Sequence, residues 1–158
     1  MGKEVINIGD IAPDFTLPAT GGNDVTLSTL KGKNVVLYFY PKDNTPGCTQ
    51  ESKDFRDLNQ QFDTANTIVF GLSKDSLKSH DKFKTKYDFQ FQLLADEEGK
   101  VLDLYQVWKE KSMYGKTFMG IERTTILVNT DGKIGNIWRK VKVKGHAQEV
   151  LDAVNENR

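Results

Sequence analysis

The chain has 158 residues, 37% hydrophobic and 28% charged, with 22 lysines and arginines balancing 22 aspartates and glutamates. That is the profile of one globular domain over residues 1–158, able to bury about 70% of the surface its unfolded chain exposes. Zero net charge excludes the basic footprint of a nucleic-acid or anionic-membrane binder, no run approaches the ~18 apolar residues of a membrane span, and the lone Cys48 excludes an intrachain disulfide.

Met1 to Ile6 lacks a signal-peptide core, and Ile6 stands where a myristoylation site has Ser or Thr, so a cytoplasmic protein is expected. Ile11 to Leu17 alternate loosely, and the turn Gly21-Gly22-Asn23-Asp24 leads to Val25-Thr26-Leu27, which predicts an edge hairpin. Ser28 to Lys33 reads as a short turn or helical fragment. Val35 to Tyr40 is then an unbroken apolar run, as in a strand buried on both faces. Pro41 ends it by lacking an N–H, Thr45 is a good helix N-cap, and Pro46 suits the first helical position, where its missing donor would be unpaired anyway. Cys48 falls in the first turn of that helix, and the spacing of Cys48, Glu51, Phe55, Leu58 and Phe62 puts them near one face.

Thr67 to Leu72 is a second continuous apolar run, and the strand-helix-strand order implies a right-handed crossover between parallel strands. Ser76 caps a helix reaching Tyr87, and Phe91, Leu93 and Leu94 form a short extended run. Asp96-Glu97-Glu98-Gly99 reads as a solvated turn rather than a cation site, leading into a short helix over Val101 to Val107. Trp108 to Gly120 shows no regular pattern and is expected to be a flexible loop. Its Gly115-Lys116-Thr117 resembles the end of a phosphate-binding loop, but the required earlier glycine is Glu110. Thr124 to Val128 is a third buried strand, Asn129 to Gly132 a hairpin turn, Ile134 to Trp138 the return strand, and Gly145-His146 to Val154 an amphipathic helix. His80 and His146 are too isolated to suggest a metal and are expected at helix surfaces or caps.

Cys48 follows a hydroxyl, a rigid turn and a residue without a side chain, whereas a packing cysteine needs only apolar neighbours. The unpaired N–H groups of a helix start carry roughly +0.5 e, which favours a thiolate there. The run Phe39-Tyr40-Pro41 through Thr45-Pro46-Gly47-Cys48-Thr49 resembles the peroxiredoxin active-site signature, most closely that of the Q type, the bacterioferritin comigratory protein subgroup. The similarity extends through Ala12-Pro13-Asp14-Phe15-Thr16-Leu17, Gly115-Lys116-Thr117, Gly120-Ile121-Glu122-Arg123-Thr124 and Asp131-Gly132-Lys133-Ile134.

The resemblance implies an α/β thioredoxin-like fold, a central mixed β-sheet flanked by helices with an N-terminal β-hairpin extension. It implies a thiol-dependent peroxidase acting on hydrogen peroxide and organic hydroperoxides, needing no cofactor and no metal, and monomeric. Cys48 would be the nucleophile and Arg123 the cation beside it. Thr45 and the backbone N–H groups of Gly47 and Cys48 would contact peroxide, Pro41 would shield the sulfur, and Tyr40 would pack behind it. Glu51, one turn after Cys48, reads either as a hydrogen-bond partner of Arg123 or the backbone or as an ordinary surface carboxylate.

Q-type members commonly carry a resolving cysteine five residues after the first, where this chain has Lys53. The sulfenic acid at Cys48 would then need an external thiol: thioredoxin, glutaredoxin or a low-molecular-weight thiol. The competing possibility is a thioredoxin-fold binding or chaperone protein without chemistry, which would have no need of Pro41, Thr45, Cys48 and Arg123 together. A dithiol oxidoreductase is excluded by the absence of Cys-x-x-Cys.

Overall fold

The computed structural model describes residues 5–156, so most of the stretch read above for a leader lies outside the described residues. β1 (Thr16–Leu17) and β2 (Val25–Thr26) pair antiparallel as the expected hairpin, and a 3-10 turn over Leu27–Leu30 leads on. The order continues β3 (Asn34–Phe39), α1 (Pro46–Thr64), β4 (Thr67–Ser73), α2 (Leu77–Tyr87), β5 (Gln92–Ala95) and α3 (Lys100–Leu104). It closes with β6 (Trp108–Met113), β7 (Lys116–Ile121), β8 (Thr124–Val128), β9 (Ile134–Trp138) and α4 (His146–Glu156). Five strands form the central sheet in the order β5-β4-β3-β8-β9, parallel among β3, β4 and β5 and antiparallel at β8 and β9. This is the mixed thioredoxin-like sheet that the resemblance implies.

Alternation along β3 sorts the core into two layers. Val35, Leu37 and Phe39 pack with Phe15, Leu72, Leu102 and Tyr105, beneath α3 and the N-terminal hairpin. Val36, Tyr38 and Tyr40 pack on the opposite face with Cys48, Phe55, Phe62, Phe83 and Val150, beneath α1, α2 and α4. The apolar spacing along α1 therefore does what it predicts, turning Cys48 inward. One glycine is required for this packing: a Cβ on Gly71 would stand 2.7 Å from Tyr38 Cζ. Its absence lets Tyr38 cross β4 and donate its hydroxyl to Ser52 Oγ at 2.8 Å.

Three segments differ from expectation. Residues 108–120 are not an irregular loop, because β6 and β7 pair as a separate two-stranded sheet with Trp108 opposite Ile121. Both strands are largely exposed, so no apolar alternation marks them, and the turn is Tyr114-Gly115 rather than the usual Asn-Gly signal. His80 and His146 are not surface residues, at 0% and 3% exposure. Each is satisfied inside, His80 by Asp43 and the Leu94 carbonyl, His146 by Thr125 and Glu149. The third helix stops at Leu104, short of Val107. Among the described residues no helix is long and apolar enough to cross a membrane.

Candidate active site

The Tyr40 N–H still donates to the Leu72 carbonyl at 3.1 Å, so sheet bonding continues one residue past Phe39 and stops at Pro41, which has no hydrogen to give. Pro41 is half-buried at this edge. Asn44 then takes a left-handed φ of 59°, Thr45 is extended at the N-cap, and Pro46 opens α1. Thr45 departs from the expected cap in one respect. Its carbonyl accepts from the Thr49 N–H at 2.8 Å, but its hydroxyl donates to the Lys42 carbonyl at 2.8 Å instead of receiving a helix N–H. The side chain closes the loop, and the helix start is left without a side-chain cap.

Cys48 is 1% exposed, within the aromatic layer. Its Sγ accepts from Arg123 Nη2 at 3.4 Å, and Arg123 Nη1 donates to Glu51 Oε1 at 2.6 Å. Arg123 comes from the short link between β7 and β8, from which it reaches Cys48 and Glu51 on α1. Gly47 gives it room: a Cβ there would lie 3.3 Å from Nη2. Glu51 is thus the buried partner of Arg123 and not a surface carboxylate. Among the described residues its second oxygen, Oε2, has no hydrogen-bond partner. Burial pushes the Glu51 carboxyl up to about 7 against the pull of Arg123. Burial also disfavours charge on Arg123, but Glu51 and Cys48 beside it outweigh that, and its pKa rises. The guanidinium stays charged, and the carboxylate is the member of the pair that takes up a proton near neutrality.

Tyr40 lies in the same buried layer as Cys48, its ring stacked on Tyr38 at 5.4 Å, and its hydroxyl donates to Asp43 Oδ1 at 2.5 Å. Asp43 and its partner His80 lie 37 positions apart in the chain, so local spacing gives no sign of them. Lys111 on β6 is also half-buried within electrostatic reach of the site. Burial lowers its pKa, Arg123 adds to the effect, and Cys48 opposes it. A charged residue in a segment taken for a loop carries no such message.

A thioredoxin-like fold that sets a lone cysteine in the first turn of a helix, under a guanidinium braced by a buried carboxylate, defines a class of thiol enzyme in which an ionised sulfur attacks an electrophile. Residues 8–137 match the AhpC/TSA family, and the chain belongs to that family as a one-cysteine peroxiredoxin of the Q type. It is 48% identical over 151 residues to the peroxiredoxin Bcp of Bacillus subtilis, covering 96% of each chain. The PrxQ of Xylella fastidiosa, solved in a cysteine-to-serine form, superposes with a TM-score of 0.91 at 41% identity, covering 98% of this chain and 99% of that one. The bacterioferritin comigratory protein of Xanthomonas campestris, studied for alkyl peroxide reduction activity, gives 0.89 at 43% identity over 98% and 99%. The chain is a thiol-dependent peroxidase, and the binding-protein alternative is not favoured.

Proposed function

We propose that this single domain, residues 1–158, is a cytoplasmic, monomeric peroxidase in which Cys48 reduces hydrogen peroxide and organic hydroperoxides with Arg123, Thr45, Gly47 and Pro41 as its catalytic surroundings. The Cys48 thiolate attacks the terminal oxygen of the hydroperoxide. The S–O bond forms as the O–O bond breaks, sulfur is oxidised to the sulfenic acid, and hydroxide or alkoxide leaves to take a proton from water. Charge spreads from sulfur over both oxygens in the transition state, so fixed donors aimed there lower the barrier. The observation that carries this is the contact of Arg123 Nη2 with Sγ at 3.4 Å, held by Glu51 at 2.6 Å.

With its proton on the Lys42 carbonyl, Thr45 Oγ1 keeps its lone pairs and can accept the hydroperoxide O–H. The Gly47 and Cys48 N–H groups face the developing anion at the positive end of α1, and Pro41 limits the approach of water. Sulfenic acid then reacts with an external thiol, releasing water and forming a mixed disulfide. A second thiol returns Cys48, because the chain has no other cysteine to do so. Thioredoxin, glutaredoxin and low-molecular-weight thiols all fit this step. Stopped-flow oxidation of Cys48 by hydrogen peroxide and an alkyl hydroperoxide, with product mass, tests the proposal: a rate orders of magnitude above free cysteine, absent in Cys48→Ser, is expected. A rate equal to free cysteine would overturn it.

A further inference from the structure

The loop carrying Pro41, Thr45 and Gly47 is tied to the body of the protein by a buried polar cluster that the chemistry above does not use. Asp43 is 7% exposed, and both its oxygens are engaged. Oδ1 accepts from the Tyr40 hydroxyl at 2.5 Å, while Oδ2 accepts from Ser79 Oγ at 2.7 Å and lies 2.8 Å from His80 Nδ1. His80 Nε2 meets the Leu94 carbonyl of β5 at 2.9 Å. A carbonyl only accepts, so Nε2 carries a hydrogen and the ring orientation is fixed. The Asp43 N–H donates to Asp75 Oδ2 at 2.9 Å, which also accepts from Ser73 Oγ at 2.5 Å. The next residue, Asn44, receives Lys86 Nζ at 3.3 Å and the Tyr87 hydroxyl at 3.2 Å on its Oδ1. The crossing from β3 to α1 is clamped to α2, β4 and β5, ending one residue before Thr45.

A cation is not what these groups are built to hold. Ligand atoms of Asp43, Asp75 and His80 lie within 4.8 Å of one another. However, Asp43 Oδ2 and His80 Nδ1 are spent on each other, and Asp75 Oδ2 already accepts twice. A cluster whose members satisfy one another rigidifies what it touches.

We propose that Asp43 and His80 are positioning residues for peroxide reduction, holding Thr45 and Gly47 where a hydroperoxide must meet them above Cys48; this rests on the peroxidase function proposed above. The test compares two reactions of one sulfur. Iodoacetamide needs only a reachable thiolate, whereas peroxide also needs the loop donors in register. Asp43→Asn and His80→Gln are expected to slow oxidation by hydrogen peroxide by ~10–100-fold, the scale of a 1 Å misplacement. Iodoacetamide rates across pH should change by less than ~3-fold, since Arg123 and the helix start remain. The double variant should be no slower than the slower single, because the two act as one unit.

Tyr40→Phe, which keeps the ring and removes one donor to Asp43, provides a milder variant that keeps the question open should the others fail to fold. It is expected to show the same selective loss on a smaller scale. Peroxide rates unchanged in all three variants, or peroxide and iodoacetamide rates falling by the same factor, would overturn the proposal. An unmodified protein that oxidises no faster than free cysteine would instead remove the peroxidase function itself, and this inference with it.

Discussion

Residues 40–48 and residues 108–121 both lead to Cys48 Sγ, the first through the cysteine itself and the second through Arg123, two residues beyond β7. The first segment faces solvent at Lys42, Asn44, Pro46 and Gly47 but is pinned at buried points: Tyr40, Asp43 and Cys48 are 0%, 7% and 1% exposed, and Asp43 and Asn44 are bonded to α2. Among the described residues the strands of the second pair only with each other, leaving Met113, Tyr114, Phe118 and Met119 exposed at 56%, 95%, 44% and 50%. It is anchored at its base, where Trp108 and Ile121 meet the core and the Glu122 N–H donates to the Val107 carbonyl at 2.7 Å. Nucleophile and cation thus arrive on supports of different stiffness. Segments with few buried contacts open at low free-energy cost, and those with many move only with the whole fold.

Arg123 is where the two supports meet, so its replacement should have the largest effect. Arg123→Ala removes the donor to Sγ and leaves the Glu51 carboxyl buried without its partner. Peroxide oxidation is expected to fall by ~10²–10³-fold, the usual consequence of losing one preorganised donor. Arg123→Lys retains the charge but not a fork that reaches Sγ and Glu51 together, and should recover only part of the rate. Stopped-flow fluorescence reads both, and a lysine variant as fast as the parent would show that the fork is not used.

Glu51 separates the stiff support from a switchable one, because it is as buried as Asp43 but has one oxygen without a hydrogen-bond partner among the described residues. Its carboxyl is raised from 4.5 to about 7 by burial, with Arg123 opposing. Between those values the unfolded chain has released the proton and the folded chain still holds it. Stability from this group is therefore full below about 4.5 and is lost as pH rises through about 7. At 1.36 kcal/mol per unit the loss is about 3 kcal/mol. Denaturant melts at several pH values should show Glu51→Gln flattening this decline. His146 must be kept constant in the comparison, since burial lowers its pKa and its contribution runs the other way, weakening the fold on acidification. Equal slopes in parent and variant would place the proton elsewhere.

Gly47→Ala should separate stability from rate. Alanine is favoured over glycine in a helix by up to ~1 kcal/mol, so the variant is expected to melt no lower than the parent. Its Cβ would crowd Arg123 Nη2 at 3.3 Å, and a displaced donor is expected to cost ~3–10-fold in peroxide rate. An unchanged rate would mean that the guanidinium can slide along α1 without consequence.

What could be read from the chain follows the same division. The Pro41 to Cys48 loop announces itself because strand, breaker, cap and helix start are all local signals, and the five-stranded sheet follows from apolar runs of strand length. Arg123 is legible only through resemblance, since an arginine before a strand is ordinarily solvated. The burial of Glu51 was open because one helical turn from an inward residue can face either way. Asp43 and His80 were illegible as a pair, being brought together by the fold across 37 residues. The hairpin is illegible for the opposite reason: it is stabilised by its own ladder, with too little burial to write a pattern.

That hairpin carries the smallest expected effect. Tyr114 and Gly115 have φ of 53° and 76°, the two-residue turn whose backbone favours Asn-Gly. A tyrosine in the left-handed region is strained by roughly 1–2 kcal/mol, and asparagine relieves part of this. Tyr114→Asn is therefore expected to raise stability by ~0.5 kcal/mol, a melting shift of roughly 1–2 °C for a chain of this size. Tyr114 is 95% exposed, so no packing is lost. If the base of the hairpin isolates Arg123 from the tip, stiffening the turn leaves the peroxide rate within twofold of the parent. A larger change would show that motion of β6 and β7 reaches the guanidinium, and the exposed segment would then be part of the chemistry rather than a carrier of one residue.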